Sequence, residues 1–260
     1  MHGNGQPSVN SESSGTEMFR VRTFGGLSVI EEGADGAPIA VQRRRLALLA
    51  LLASAGDRGM TRERIMAYLW PESGITNARH NLKQAVFELR KQFGAEVFAG
   101  EITLRLNARV MQTDRAELER TLIEGRVDDA MALRAGPFLD GFHLDGAVEF
   151  ERWMDAEREG ISQRLQRALE LEAVRAGEES DARGSVGRWR QLVALDPYSS
   201  RYTVGLIRAL VAAGDAPGAI RAAKAHETRV REELDAAVDP AVAGWVERLR
   251  GWSDKSGSSI

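Results

Sequence analysis

The sequence predicts an α+β amino-terminal half, in which a small antiparallel sheet precedes three helices and a hairpin, and an all-α carboxyl-terminal half. Three observations support this fold class. Short alternating segments separated by Gly- and Pro-containing turns precede residue 42, apolar residues recur at helical spacing between residues 42 and 93, and residues 114–250 are helical in pattern throughout. With 260 residues the chain is expected to form about two domains, each with its own core.

The first elements are bounded by turn residues. Extended segments are predicted at 19–23, 27–30 and 39–41, because Gly25-Gly26 and residues 33–38 interrupt the alternation. A helix is predicted over 42–55, and its inward residues are Leu46, Leu49, Leu52 and Ala53. Arginines occupy the start of that helix.

Two further helices and a hairpin complete this half. The second helix is predicted over 62–70, with Thr61 as its N-cap and Pro71 as its stop. The third is predicted over 76–93, with Thr76 as a candidate cap and Gly94 as its terminator. Residues 97–99 and 102–106 are typical of a β-hairpin. A sheet, three helices and a hairpin in this order are typical of a winged helix-turn-helix.

The third helix has two chemically different sides. Its apolar residues fall on one side at helical spacing: Leu82, Ala85, Val86, Leu89 and Phe93. The opposite side is polar and, with a single acidic residue in the helix, net positive: Asn77, His80, Gln84, Phe87 and Lys91, flanked by Arg79, Lys83 and Arg90. Amide and cationic groups on one outward face suit the hydrogen-bonding edges of the DNA major groove.

Charge and composition narrow the class of protein. Residues 18–110 contain 14 Lys/Arg and 9 Asp/Glu, whereas residues 111–260 contain 21 and 27, so only the front half is basic.

There is no Cys, and no apolar run approaches the roughly 20 residues that cross a bilayer. Residues 1–17 lack the features of a secretory signal, and we expect a cytoplasmic protein with no membrane association. Residues 1–17 and 251–260 are predicted to be flexible tails.

Short motifs spread along the chain resemble one known family. In the front half they are Phe24-Gly25-Gly26-Leu27, Arg45-Leu46-Ala47-Leu48-Leu49, Leu69-Trp70 before a proline, and Leu89-Arg90-Lys91. Further on they are Thr113-Asp114, Gly136-Pro137-Phe138-Leu139-Asp140-Gly141, Trp153, Glu157-Arg158 and Leu195-Asp196-Pro197. This order is similar to that of SARP-like bacterial transcriptional activators, over about residues 19–250. The resemblance implies an OmpR-type winged-helix DNA-binding head, placed here at 18–110, and a helical bacterial transcriptional activator domain at 111–250.

The helical half also shows an internal repeat. Gly125, Gly177 and Gly214 each precede an alanine by five positions, and the last two are 37 residues apart. Tetratricopeptide-like (TPR-like) helical hairpins repeat at about 34 residues, so slightly lengthened units are expected. Such repeats form surfaces that bind peptides or proteins. The alternative is a plain helical bundle that only supports the head.

The pattern predicts which residues of the head would contact DNA. Base contacts are assigned to the outward face of the third helix: Asn77, His80, Lys83, Gln84, Phe87 and Lys91. Phosphate contacts are assigned to surrounding cations and one hydroxyl: Arg43, Arg44, Thr61, Arg62, Arg79, Arg90 and Arg105. Alternatives remain open for Phe87, which could be a core or inter-domain residue, and for Arg105, which could point away from DNA.

The sequence therefore predicts a sequence-specific DNA-binding transcription regulator, and the resemblance implies an activator. The resemblance also implies binding to promoter repeats, recruitment of RNA polymerase and a possible homodimer on DNA. No enzyme is expected, because motifs for phosphate loops, zinc proteases and serine or cysteine nucleophiles are absent. No metal and no cofactor are expected. The alternative function is a TPR-like interaction scaffold whose winged helix does not bind DNA.

Overall fold

The computed structural model describes residues 18–33, 36–245 and 247–248, so the two tails predicted at 1–17 and 251–260 lie outside the described residues. The chain separates into two compact units. One runs to Thr121 and also includes Ala132–Arg158, and the other contains Leu122–Met131 and the chain from Glu159 onward. The domain boundary placed at residues 110 and 111 from the sequence stays a prediction.

The first unit begins with a three-stranded sheet. Strands β1 (Phe19–Arg22) and β2 (Ser28–Glu31) pair antiparallel, which confirms the first part of the predicted sheet. The third strand predicted at 39–41 is wrong, because no strand forms there and only the Ile39 N–H reaches the sheet, donating to the Val29 carbonyl. Strand β6 (Met111–Thr113) takes the free edge of β1 instead and pairs with it in parallel. A long-range pair of this kind leaves no local signal in the sequence.

Three helices follow, close to the predicted bounds. Helix α1 (Arg43–Ala55) has seven consecutive buried residues, from Ala47 to Ala53, as expected of a helix covered on all sides. Helix α2 (Arg62–Leu69) is capped by the Thr61 hydroxyl, which accepts from the Arg64 N–H at 3.3 Å, so the predicted cap is confirmed. Helix α3 (Ile75–Phe93) starts after Gly74 without a side-chain cap, so the cap predicted at Thr76 is wrong.

The predicted hairpin consists of β4 (Phe98–Ala99) and β5 (Thr103–Leu106), which pair antiparallel. Its turn requires glycine, because Gly100 has φ +90° and a Cβ there would lie 2.1 Å from the Thr103 carbonyl oxygen. A two-residue strand that the sequence pattern did not predict, β3 (Met60–Thr61), pairs with the other edge of β5. The hairpin is thereby joined to the segment that leads into α2.

A later part of the chain returns to the first unit. Helices α4 (Asp114–Ile123) and α5 (Val127–Leu133) come before an extended segment in which Phe138 forms β-bridges with Phe24 and Gly26. The Phe138 ring contacts Phe24 and Trp153 edge to face, at centroid distances of 6.0 and 5.9 Å. Helix α6 (Val148–Glu178) starts in this unit, and Arg158 donates to the carbonyls of residues 138 and 139. Phe138 and Leu139 of the motif at 136–141 are thus part of the core of the first unit.

A buried carboxylate connects the segment after β6 to the segment after β1. Asp114 is 7% exposed, and its Oδ2 accepts from the backbone N–H groups of Thr23 and Phe24 at 2.7 and 3.1 Å. Its Oδ1 accepts from the Thr23 hydroxyl at 2.6 Å. Burial raises the pKa of Asp114, and these hydrogen bonds oppose the rise.

The second unit is a stack of helices: α7 (Ala182–Leu195), α8 (Ser200–Ala212), α9 (Ala216–Leu234), the part of α6 from Glu159 onward, and a helical stretch at 240–245. Helices α7 and α9 start in the same way. The Asp181 and Asp215 side chains accept from Gly184 N–H and Gly218 N–H at 2.9 and 2.8 Å. The two aspartates are 34 positions apart, which is the usual tetratricopeptide spacing.

The 37-residue spacing predicted from Gly177 and Gly214 is therefore wrong in register. The backbone position equivalent to Gly214 (φ +78°) is Ser180, which has φ +63°. Asp181 N–H donates to Ala176 O and Asp215 N–H to Leu210 O, both at 2.8 Å, so the turns match bond for bond. The register of 34 residues was missed because glycine is expected at a left-handed position of this kind, and the residue there is Ser180.

We expect the free energy of unfolding of Asp114→Asn to stay within about 1 kcal/mol of the parent at neutral pH, and Asp114→Ala to cost about 2–4 kcal/mol. An asparagine oxygen can accept from both N–H groups while its NH₂ donates to the Thr23 hydroxyl, whereas alanine leaves buried donors unpaired.

The pKa of Asp114 is raised in the folded protein, so the contribution of this carboxyl group to stability depends on pH. The contribution is largest below the ordinary pKa of 3.8 and is lost as pH rises through the pKa of the folded state. Urea unfolding between about pH 4 and 7 should thus show the asparagine variant gaining on the parent as pH rises. Equal destabilisation by both substitutions would contradict this role.

Gly205 allows α7 and α8 to pack closely, because a Cβ there would lie 2.5 Å from the Trp189 ring. We expect Gly205→Ala to lower the free energy of unfolding by about 1–3 kcal/mol. Gly187→Ala is the matched control: Gly187 is exposed on α7 and a Cβ there would meet no atom within 4 Å, so alanine should stabilise by about 0.5–1 kcal/mol. Chemical unfolding of both variants measures the difference, and two effects of the same sign would refute the role of close packing.

Candidate nucleic-acid interface

Helix α3 is fixed by the burial of one side. Its buried residues recur at helical spacing along the whole helix: Ala78, Leu82, Ala85, Val86, Leu89 and Phe93. They pack against α1 and α2, and the Phe93 ring lies 4.9 Å from that of Phe19 on β1, edge to face. This confirms the inward face predicted from the sequence and sets the rotation of the helix about its axis.

Polar contacts hold the second half of the helix from its flanks. Arg45 on α1 forms an ion pair with Glu88 at 3.8 Å, and the Gln92 amide donates to the Ala40 carbonyl at 2.9 Å. The only acid of α3 is thus engaged by a cation of the same unit. The basic residues of the outward face are left without a free acidic neighbour on their own helix.

All eight residues predicted for the outward side of α3 are exposed: Asn77, Arg79, His80, Lys83, Gln84, Phe87, Arg90 and Lys91. Phe87 is 63% exposed within the described chain, so it is not part of the core that α3 builds with α1 and α2. Within the described ranges none of the seven polar side chains forms a hydrogen bond or ion pair with another residue. The face therefore presents unpaired amide and cationic donors to solvent.

The residues predicted to contact phosphate are partly engaged. Arg43 donates to the His143 carbonyl and lies 4.9 Å from the centre of the Phe142 ring, and Arg44 donates to the Asp145 carbonyl at 3.1 Å. Arg105 on β5 donates to the Asp57 carbonyl at 3.3 Å. Each guanidinium has five N–H groups, so these bonds orient the group and leave donors free. The Arg62 side chain is exposed and forms no hydrogen bond or ion pair with any described residue.

The structure adds two cations that were not among the predicted phosphate contacts. Arg58 and Arg64 line a cleft of about 310 Å³ together with Thr61 at the start of α2, Thr103 on β5 and one acid, Glu157 of α6. Arg64 is further held by the Tyr68 hydroxyl, to which it donates at 3.1 and 3.2 Å. The signal for Arg64 was present in the sequence, since it lies one helical turn after the Thr61 cap. Arg58 is placed by the pairing of β3 with β5, which has no local pattern.

Metal-binding clusters and membrane-spanning helices are both absent from the part of the chain that the structure describes. No group of three or more His, Cys, Asp or Glu side chains in these ranges is arranged to hold a metal ion. No helix among the described residues is both long and apolar enough to cross a membrane.

Comparison with known proteins identifies a family and solved structures of similar fold. The family model of the bacterial transcriptional activator domain matches residues 108–250, which is more than half of the chain. No curated protein sequence matches at a significant level. Among solved structures, Mycobacterium tuberculosis EmbR in complex with a low affinity phosphopeptide is similar, with a TM-score of 0.60 and 20% identity. The alignment covers 91% of this chain but 66% of that one, so this chain spans slightly less than two thirds of its neighbour.

At this identity the likeness shows the fold alone. It confirms the predicted order of a small sheet in the amino-terminal half followed by a helical half. The family match confirms the resemblance that the motifs at 113–114, 136–141 and 195–197 had indicated.

Proposed function

We propose that this chain, which belongs to the bacterial transcriptional activator domain family, is a transcriptional regulator of the SARP type that binds promoter DNA through α3. In this proposal α2 and α3 form the helix-turn-helix, and the β4–β5 hairpin is the wing. The observation that carries the proposal is the outward face of α3, where exposed amide and cationic groups lack partners among the described residues. Groups of this kind, on a helix whose opposite side is buried, match the acceptors and donors of the major groove.

Specific roles follow from side-chain chemistry. Asn77 and Gln84 can each bind adenine N6 and N7 in a bidentate manner. The cations Lys83, Lys91 and Arg79 suit guanine acceptors or nearby phosphates. Phe87 presents an exposed ring to a thymine methyl, and His80 adds a donor or acceptor on the same stripe. These assignments give α3 the sequence preference.

Affinity that does not depend on sequence would come from the cations around α3. Arg62 and Thr61 stand at the start of α2, with Arg58 and Arg64 in the cleft that Thr61 lines. Arg43 and Arg44 precede the buried part of α1, and Arg90 lies on α3. Arg105 is on the proposed wing, where Ile102 is 85% exposed close to the turn. Contacts with phosphate fix the register of the protein on the duplex.

Family membership extends the proposal to the role of the bound protein. We infer that it binds promoter repeats, contacts RNA polymerase and activates transcription, with two copies able to occupy neighbouring repeats. The helical half would then support contact between copies or with polymerase.

The salt dependence of duplex binding tests the proposal without knowledge of the operator. For a mixed-sequence duplex, log K should fall linearly with log salt concentration, with a slope of about −0.9 per phosphate contacted. Arg62→Ala should reduce that slope by roughly one unit, whereas Gln84→Ala should leave it unchanged because an amide releases no counterion. Fluorescence anisotropy over a salt series measures both.

Arg183→Ala is the matched control, because Arg183 is an exposed arginine of α7 whose side chain has no hydrogen-bond or ion-pair partner among the described residues. Its slope should equal that of the parent. If Arg62→Ala and Arg183→Ala behaved alike, or if the parent showed no salt-dependent affinity, the DNA-binding proposal would fail. The scaffold alternative would then be the better account of the chain.

A further inference from the structure

The second unit has a long surface groove between α6 and α8. It consists of two adjoining cavities of about 780 and 550 Å³, which share Glu170, Val174 and Arg201 in their walls. On α6 the lining extends from Gln163 to Gly177, a rise of roughly 21 Å at 1.5 Å per residue. A groove of this length matches about four turns of a helix. We refer to the two cavities together as the α6–α8 groove.

Contacts between the helices hold the groove open. The buried Ser185 hydroxyl donates to the Ala173 carbonyl at 2.8 Å and ties α7 to α6. Gly205 lies against the Trp189 ring and ties α8 to α7. Arg201 on α8 forms an ion pair with Glu170 on α6, so the two walls are also bridged directly. Because each wall is fixed by its own packing, an occupant would meet a preformed site.

The surface of the groove is apolar along its middle. Leu171 is 68% and Val174 is 46% exposed, and their spacing of three residues places them on one side of α6. Small residues on α6 and α8, including Gly177 and Ala209, also form part of the lining. Adjacent exposed apolar side chains on a helix next to a preformed groove are typical of a helix-in-groove site.

The charges of the lining select the partner. Arg201 and Glu170 neutralise each other, whereas Asp239, whose carboxylate accepts from the Ala241 N–H at 2.8 Å, keeps its negative charge. Arg167 in one cavity and Arg208 in the other have no ion-pair partner in the part of the chain that the structure describes. With three arginines and two acids the lining has a net charge of +1, in a half of the chain that has 27 acidic and 21 basic residues.

We propose that the α6–α8 groove binds an acidic amphipathic helix of a partner protein. Its apolar side would cover Leu171 and Val174, and its carboxylates would pair with Arg167 and Arg208. This interaction uses neither α3 nor the cations of the first unit, so it goes beyond the DNA-binding proposal and can fail or hold independently of it. Attraction between these carboxylates and an arginine in each of the two cavities would steer the helix into register.

The experiment uses the full chain and two labelled peptides of about 18 residues, each a helix with leucines at i, i+3, i+4 and i+7. One peptide carries glutamates and the other lysines at the same flanking positions. Fluorescence anisotropy should show saturable binding of the glutamate peptide and at least about tenfold weaker binding of the lysine peptide. Arg208→Glu and Arg167→Glu should each weaken the glutamate peptide about tenfold, and Leu171→Ala should weaken it as well.

Arg190→Glu is the control for charge reversal, since Arg190 is an exposed arginine of α7 outside the groove lining. Circular dichroism checks that each variant keeps the helical content of the parent. Equal binding of both peptides, no binding of either, or equal effects of Arg190→Glu and Arg208→Glu would overturn the proposal. It would also be overturned if ultracentrifugation showed that Leu171→Ala dissociates a dimer, because a second copy would then occupy the groove.

Discussion

The arrangement of the first unit depends on one constraint, the burial of the apolar side of α3 against α1. Because α1 is apolar on every side from Ala47 to Ala53, it has to be covered by other elements all around. Leu82 and Leu89 of α3 are 2% and 0% exposed and provide part of that cover. A helix whose inner side is fixed in this way has no rotational freedom left. The same burial that stabilises the unit therefore decides which polar side chains of α3 face solvent.

Connections that are distant in sequence complete the unit around this core. Asp114 closes one end of the sheet through three hydrogen bonds to residues 23 and 24. Phe138 fills the space next to Phe24 and Trp153, and the loop after it supplies the carbonyls that orient Arg43 and Arg44. Residues within the stretch that the family model matches, 108–250, thus orient the two arginines at the start of α1. Changes in residues 138–145 should be considered for their effect on the head as well as on the helical half.

The sequence predicted what local periodicity and turn chemistry determine. The bounds of α1, α2 and α3, the Thr61 cap and the two sides of α3 follow from short-range patterns, and the structure has them within one or two residues. The pairing of β6 with β1 and of β3 with β5 was missed, because such pairs depend on residues that are tens of positions apart. The repeat register was misjudged at Ser180, where a serine holds a backbone conformation expected of glycine. The roles of the exposed side chains on α3 stay predictions, since exposure alone does not identify a ligand.

The central claim is that the outward face of α3 reads base sequence. Selection of bound duplexes from a random-sequence DNA library, with the full chain and with the double variant Asn77→Ala, Gln84→Ala, tests it most directly. We predict that the parent enriches a defined motif, and that the double variant still binds duplex DNA but loses preference at the positions read by the two amides. Enrichment of the same motif by both proteins, or of no motif by the parent, would contradict this claim.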